Sequence, residues 1–290
     1  MTTQPDKLRA LLAQDQLHVM PCCYDALSAK LIEQAGFGLT FMSGFATSAS
    51  RIGAPDLGLM SYSEVVDSAR NICDAVSIPL IGDGDTGYGN AMNVQRTVRG
   101  FARAGCGAVM IEDQRAPKRC GHTPGKEVVG RDEAFDRIKA SVDARGDDDI
   151  LILARTDARH DHGLAEAIDR AAMFHELGAD ILFVEAPKTT EEMRQVCADL
   201  PGPKMANIVE GGETPDLGHA DLHEIGYAIA AYPLALMSAA MQAMTVTLQA
   251  LADDTPRDPM LMDFAQLRRK IGFDEYYEAS AAYKSSYRSG

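Results

Sequence analysis

The sequence predicts an α/β fold: a closed (β/α)8 barrel of the TIM type with an extra C-terminal helical segment. Three observations lead there. Short β-rich apolar runs alternate with longer amphipathic stretches eight times along the chain. The 290-residue length suits a single barrel, which routinely runs to about 250 residues. Polar residues able to do chemistry fall repeatedly at the C-terminal ends of the predicted strands, the face on which a barrel builds its active site.

The strands are predicted at His18–Cys22, Leu39–Ser43, Pro79–Asp83, Gly107–Asp113, Ile150–Asp157, Ile181–Ala186, Lys204–Glu210 and Tyr227–Pro233. Between them, helical spacing is read at Tyr24–Ala35, Ser63–Val76, Ala91–Ala104, Arg131–Ala144, Gly163–Leu177, Thr190–Leu200 and Leu234–Leu251. Gly36, Gly105 and Gly178 stand just past helical runs and just before strands, where left-handed C-terminal caps are expected. Strands separated by helices imply βαβ units and a parallel sheet, and eight such units favour closure over an open sheet. The expected organisation is therefore a barrel over 1–257. A helical extension over 258–290, including Leu261–Ile271 and a Tyr-rich end, is left to pack on the outside or on another subunit. The acidic run Asp147–Asp149 reads as a solvated loop.

Composition narrows the partners. With 46% hydrophobic and 24% charged residues the chain is an ordinary globular one, long enough to bury a core without staples. Twenty-eight Lys and Arg against 42 Asp and Glu leave a net charge of −14, which argues against nucleic acid and against an anionic membrane surface. An anionic substrate stays open, because a divalent cation supplies positive charge locally. The first 20 residues have no signal-peptide core, and no apolar run is read as reaching the roughly 18 residues of a membrane span. Six cysteines without metal-ligand spacing point to a reduced, cytoplasmic protein.

Ser43, Asp83, Asp85, Glu112, Asp113, Arg155, Asp157, Glu185, Asn207 and Glu210 all end predicted strands. One such residue is what any strand shows on reaching solvent; six strands ending this way, mostly in acids, point to a site. In Gly82-Asp83-Gly84-Asp85-Thr86-Gly87-Tyr88-Gly89, two carboxylates two residues apart point the same way, and the glycines let backbone approach a ligand. With Glu112 from the next strand they form an oxygen-only set suited to Mg²⁺ or Mn²⁺. In Pro117-Lys118-Arg119-Cys120-Gly121-His122, basic neighbours put the thiol in a positive field, which favours reactivity. The following glycine suits a mobile lid. The other cysteines are better explained by packing, with Cys22-Cys23 placed to face the site. Arg155 ends the apolar run Ile150–Ala154, so it must pair, either with barrel carboxylates and Asp157 or with a bound acid.

Taken together, these residues resemble the isocitrate lyase/phosphoenolpyruvate mutase superfamily, particularly its methylisocitrate lyase and dimethylmalate lyase-like branch. The resemblance spans nearly the whole chain. It rests on Tyr24–Ala29, Ser43-Gly44, Pro55–Gly58, Gly82–Gly89, Ile111–Gln114, Lys118–His122, Ala154–Ala158, Glu185-Ala186, Ala206-Asn207 and Tyr232–Leu234. The Lys-Arg-Cys-Gly-His loop marks the carbon–carbon lyases of that superfamily. What the resemblance implies is retro-aldol cleavage of a 2-hydroxy di- or tricarboxylate to a 2-oxo acid and a carboxylic acid, with Mg²⁺ or Mn²⁺. Asp83, Asp85 and Glu112 would hold the metal, directly or through water. Ser43, Gly44, Arg155 and Asn207 would hold substrate carboxylates, with Phe45, Gly121 and His122 also at the substrate. Asp56 and Glu185 would order the metal and substrate shell, and Cys120 would protonate the carbanion. The family's last helix swaps between subunits, so the resemblance implies a homodimer or homotetramer.

Two departures from methylisocitrate lyases shape the substrate. Phe41 replaces a tyrosine two residues before the Ser-Gly pair, and Leu234-Ala235-Leu236-Met237-Ser238 lacks the arginine expected after Tyr-Pro-Leu. A lost arginine removes a carboxylate partner, and Phe45 adds bulk beside the carboxylate-binding turn. Both favour a smaller, less charged substrate of the 2-alkylmalate or dimethylmalate type. The competing readings are hydrolysis of oxaloacetate to oxalate and acetate, a phosphonate mutase, and a non-catalytic binding barrel.

Overall fold

The computed structural model describes residues 2–121, 125–146 and 148–283. His122 and Asp147, both singled out from the sequence, lie outside the described residues. In chain order the elements are α1 (Gln4–Leu12), β1 (His18–Cys23), α2 (Ala26–Gln34), β2 (Thr40–Met42), α3 (Gly44–Ile52), α4 (Tyr62–Ala75), β3 (Leu80–Asp83), α5 (Ala91–Ala104), β4 (Ala108–Glu112) and α6 (Arg131–Asp143). There follow β5 (Leu151–Thr156), α7 (Ala158–His162), α8 (Leu164–Glu176), β6 (Ile181–Val184), α9 (Thr190–Asp199), β7 (Met205–Asn207), α10 (His219–Ile225) and β8 (Ile229–Tyr232). Last come α11 (Ala235–Ala252), α12 (Phe264–Ile271) and α13 (Phe273–Ala281).

All eight predicted strands are present. They pair in parallel in the order β6-β5-β4-β3-β2-β1-β8-β7. The two ends of that order meet through a parallel bridge between Leu182 and Lys204 and a 3.0 Å bond from the Leu182 amide to the Pro203 carbonyl. The sheet is thus a nearly closed barrel. Gly36, Gly105 and Gly178 take φ of 89°, 96° and 103°, the left-handed conformation expected of them.

Strand periodicity sorts the core into two layers. Met20, Phe41, Ile81, Met110, Leu153, Phe183, Met205 and Ala231 belong to one buried cluster, the barrel interior. The alternate residues Cys23, Met42, Leu80, Val109, Ile111, Ile152, Ala154 and Val184 pack against the surrounding helices. Leu8 of α1 joins the interior cluster with Leu11 and Leu12, so α1 closes the barrel's N-terminal end. That helix went unread, although Thr3 and Asp6 form a capping box. Also unread was α3, whose Gly/Ser/Thr-rich sequence has weak propensity; the Ser43 hydroxyl caps it, accepting from the Ala46 amide at 3.3 Å.

The chain divides into two compact units on either side of the Met237–Ser238 bond, inside α11, whereas the sequence placed a boundary after residue 257. One expectation is corrected. Helix α11 spans 18 residues with mean hydropathy 1.3, long and apolar enough by composition to cross a membrane. Its interleaved alanines, threonines and glutamines kept it from reading as one apolar run. Most of α11 is exposed, as are Phe264 of α12 and Tyr276 of α13.

Candidate active site

The site continues the barrel's interior register by one step. Two residues beyond Phe41, Ile81, Met110, Leu153, Phe183 and Met205 stand Ser43, Asp83, Glu112, Arg155, Glu185 and Asn207. A period of two along each strand puts these polar groups on the inward face where the apolar layer ends. They border a cavity also lined by Cys22, Gly44, Phe45, Asp56, Lys118, Cys120, Gly121, Val209, Pro233 and Leu234. Glu112 is not at that surface but directly behind it, 3.5 Å from Arg155 Nη1. Asp85 borders a smaller adjoining cavity together with Thr47, Asp56 and Asp83.

Asp83 is held from two sides. Its Oδ2 accepts from the Gly44 amide at 3.1 Å and its Oδ1 from the Asp85 amide at 3.1 Å. Gly44 has to be glycine here, because a Cβ would lie 2.4 Å from Asp83 Oδ2. Burial first, then the Asp85 and Asp56 carboxylates, push the Asp83 carboxyl up to about 6, against the downward pull of Lys118. Glu112 is raised further, by burial above all and by Asp157 and Asp83, with Arg155 and Lys118 opposing. Lys118 reaches into this acidic group with its ammonium 2.6 Å from Asp56 Oδ2 and 2.8 Å from Asp85 Oδ1. Burial disfavours that charge, but Asp85, Asp83, Asp56 and Glu112 outweigh it and keep the ammonium protonated.

Arg155 sits among three carboxylates. Its Nε and Nη2 donate to Asp157 at 2.8 and 2.9 Å, Nη2 lies 3.1 Å from Glu185 Oε2, and Nη1 faces Glu112. The sequence left open whether this arginine pairs with the barrel or with a bound acid. In the structure it pairs with the barrel, while still lining the cavity. Glu185 also accepts from Asn207 Nδ2 at 3.3 Å and from the Ala186 amide at 3.0 Å.

The loop 117–121 crosses the cavity. Cys120 lines it and is partly exposed; Gly121 lies so close to Arg155 and Glu185 that a Cβ would come within 2.5 Å of each. The positive field expected around Cys120 is divided, since Lys118 is spent on Asp56 and Asp85 and Arg119 is exposed. Of the other cysteines, only Cys22 lines the cavity; burial raises its thiol well above the usual range.

Among the described residues no three His, Cys, Asp or Glu side chains converge as one direct ligand set. The donor chemistry nevertheless fits a hydrated hard cation. Glu112 Oε1 and Thr47 Oγ1 are buried without a hydrogen-bond partner among the described residues, and Asp83 is an acid raised by burial first and then by the carboxylates beside it. Mg²⁺ usually keeps several of its waters and bonds directly to one or two carboxylates.

The sequence did not point to Lys118 as the counter-ion of the acidic group, nor to the apolar lining. Stepping back two residues from each polar strand end finds Phe41, Met110, Phe183 and Met205, all of which line the cavity.

Buried ionic groups are expensive to assemble. Here they face a cavity at the C-terminal end of a parallel barrel, where enzymes of this architecture place their chemistry. Residues 8–252 match the family model described as phosphoenolpyruvate phosphomutase. The chain belongs to that family, within the PEP mutase/isocitrate lyase superfamily. It is 42% identical over 280 residues to a 2,3-dimethylmalate lyase of Eubacterium barkeri, covering 96% of this chain and 97% of the relative. A 2-methylisocitrate lyase of Halalkalibacterium halodurans is 35% identical over 274 residues, covering 93% and 90%. Among solved structures, a 2,3-dimethylmalate lyase superposes with a TM-score of 0.92 at 37% identity, covering 100% of this chain and 99% of that one. An oxaloacetate acetylhydrolase bound to 3,3-difluorooxalacetate gives 0.92 at 35%, covering 98% and 99%. A phosphonopyruvate hydrolase with oxalate and Mg²⁺ gives 0.85 at 32%, covering 98% and 100%.

Proposed function

We propose that the chain is a Mg²⁺- or Mn²⁺-dependent carbon–carbon lyase that cleaves a 2-alkylmalate or dimethylmalate-type acid to a 2-oxo acid and a carboxylic acid. One observation carries the reading: a carboxylate-rich wall, Arg155 and the Cys120 loop border the same cavity, whose remaining wall is apolar apart from Ser43 and Asn207. The lyase relatives and the Mg²⁺-bound neighbour support it.

We assign the residue roles as follows, with the lining of the cavity in support. Ser43, Gly44 and Asn207 line the cavity, and they would hold substrate carboxylates if the Gly44 amide turned from Asp83 and the Asn207 amide from Glu185 to the bound acid. Arg155 would join them by exchanging one of its barrel carboxylates for one on the substrate. Phe41, Phe45, Val209 and Leu234 offer an alkyl substituent an apolar surface and no charge partner. Asp83, Asp85 and Glu112 would hold the cation, directly or through water, with Asp56 and Glu185 ordering the groups around it. When bound, the metal supplies positive charge that stabilises the oxyanion developing on the 2-oxo acid. Cys120, on the loop above, donates its thiol proton to the carbon left electron-rich by bond cleavage. Gly121, which lines the cavity, and His122 would also contact the substrate, as the family resemblance implies.

We further propose a homo-oligomer in which α11 and the extension beyond it are covered by a neighbouring subunit, by exchange of helices. Met241, Met244, Leu248 and Leu251 of α11 are each more than half exposed in the single chain. The cytoplasm is the proposed location, since six reduced thiols persist there.

The test is a panel of 2-hydroxy diacids and oxaloacetate incubated with Mg²⁺, products being read by mass and by a 2-oxo-acid reductase. A new 2-oxo acid from an alkylmalate is the expected result. Oxalate and acetate from oxaloacetate, with no new 2-oxo acid from the alkylmalates, would transfer the assignment to a hydrolase. The similarity to the oxaloacetate acetylhydrolase structure keeps that reading second.

A further inference from the structure

The described part of the Cys120 loop is fastened at both ends as well as packed at its middle. Lys118 anchors its start on Asp56 and Asp85, and Gly121 rests on Arg155 and Glu185. At the far end stands Lys126, a residue with no part in the site as described above. It is only 3% exposed, and its ammonium points inward. It donates to the Gly121 carbonyl and lies 3.4 Å from Asp157 Oδ1.

A buried lysine is costly unless its charge is matched and its donors are used. Asp157 supplies the match, yet it does not depend on Lys126 for its own neutrality. Both Asp157 oxygens already accept from Arg155, at 2.8 and 2.9 Å. What Lys126 adds is the bond to Gly121, which joins the two ends of the loop across five residues and ties both to the end of β5. Without it the Gly121 carbonyl loses that partner in a buried place, and the peptide beside Cys120 is free to turn. The contacts of Arg155 with Asp157, Glu185 and Glu112 do not pass through Lys126.

We propose that Lys126 is a positioning residue for the lyase reaction, holding the Cys120–Gly121 backbone seated over Arg155 and Glu185. It acts through the loop and touches no reacting atom. The inference rests on the reading of Cys120 as proton donor, and the experiment separates the two.

Lys126→Met keeps a long unbranched side chain while removing charge and donors. Steady-state kinetics on the best alkylmalate should show kcat lowered roughly 10- to 100-fold with KM within about threefold, because misplacing a catalytic group costs rate rather than binding. In parallel, iodoacetamide labelling of Cys120 is followed by peptide mass, with and without oxalate and Mg²⁺. The parent should be protected by oxalate. The variant should label at least about fivefold faster and lose that protection, since an unseated loop exposes the thiol. Parent-like kcat together with parent-like labelling overturns the proposal. So does a melting temperature lowered by more than about 5 °C, which would assign Lys126 to the stability of the barrel instead. Labelling needs no turnover, so it tests Lys126 even if the substrate class is wrong. Full turnover in Cys120→Ser would remove the proton-donor reading and leave the labelling comparison standing.

Discussion

Gly121→Ala tests whether the loop must sit against the ionic wall for turnover. The added Cβ would lie 2.5 Å from Arg155 Nη2, 2.5 Å from Glu185 Oε2 and 2.6 Å from Glu185 Cδ. Ordinary carbon contacts lie at about 3.5–4.0 Å, so the shortfall is close to 1 Å toward both partners. Neither partner can swing clear cheaply. Arg155 is held by Asp157 and Glu112 as well as Glu185, and Glu185 by Asn207 and the Ala186 amide. Gly121 does not occupy a left-handed conformation, so alanine brings no backbone penalty and the effect is steric alone. Overpacking of this kind costs about 1–3 kcal/mol. Placed on the seated loop, that cost lowers the seated population roughly 5- to 150-fold at 1.36 kcal/mol per decade. We expect kcat to fall by that factor. The melting temperature and the affinity for Mn²⁺, read by calorimetry, should stay at parent values, because the loop can lift without disturbing the strands. The assay couples alkylmalate cleavage to a 2-oxo-acid reductase. A kcat within about twofold of the parent would refute the reasoning, since an alanine that costs nothing means that the seated loop is not the working one.

Cys120→Ser should lower kcat by roughly 10²–10⁴-fold with substrate binding nearly unchanged, the range for losing a positioned proton donor; turnover within about threefold of the parent would move that role elsewhere. Chelation should abolish activity and Mg²⁺ or Mn²⁺ restore it, and Asp83→Asn should weaken Mn²⁺ binding in titration calorimetry while the far-ultraviolet spectrum stays unchanged. Light scattering at micromolar concentration should give a dimer or tetramer, and a monomer would contradict the covering of α11. Glu166→Gln tests a pair away from the site. Arg131 above all, and Arg170, hold the Glu166 carboxyl down to about 2 from its usual 4.5. A depressed folded-state value stabilises above the unfolded one and is lost as pH falls through the folded one. The variant should therefore be less stable by roughly 1–2 kcal/mol above about pH 5, after allowance for screening at the half-exposed Arg131, with the gap closing between 4.5 and 2. Melting curves across that range check it.

The strands were legible because each apolar run is short, β-rich and bounded by turn residues, and all eight appear close to the expected limits. Helices α1, α3, α7 and α10 were not. They are five to nine residues long, and so short a run shows a 3.6-residue period only where its apolar spacing is plain, as at Phe264, Leu267 and Ile271 of α12. The polar strand ends were legible for a different reason. Arg155 follows Leu151 and Leu153 at intervals of two, and Glu112 follows Ala108 and Met110, so the face that fills the barrel also delivers the ionic group.

What the sequence could not show is which loop charges leave solvent. Lys118 reads only as a basic neighbour of Cys120 and Lys126 belongs to no motif, and their spacing has no period to mark a buried face. Their burial is decided by acids far away in the chain: Asp56 lies 62 residues before Lys118, and Asp157 lies 31 after Lys126. Each of those acids is placed by its own strand or turn, independently of the loop. The reading of Cys120 as a thiol in a positive field left these pairs out of account, since Lys118 is matched to Asp56 and Asp85 on the acidic wall. A net charge of −14 already hinted that carboxylates would outnumber any local cations. The two lysines buried among the described residues are therefore matched to acids on the barrel, and through them the loop is held to the ends of the strands.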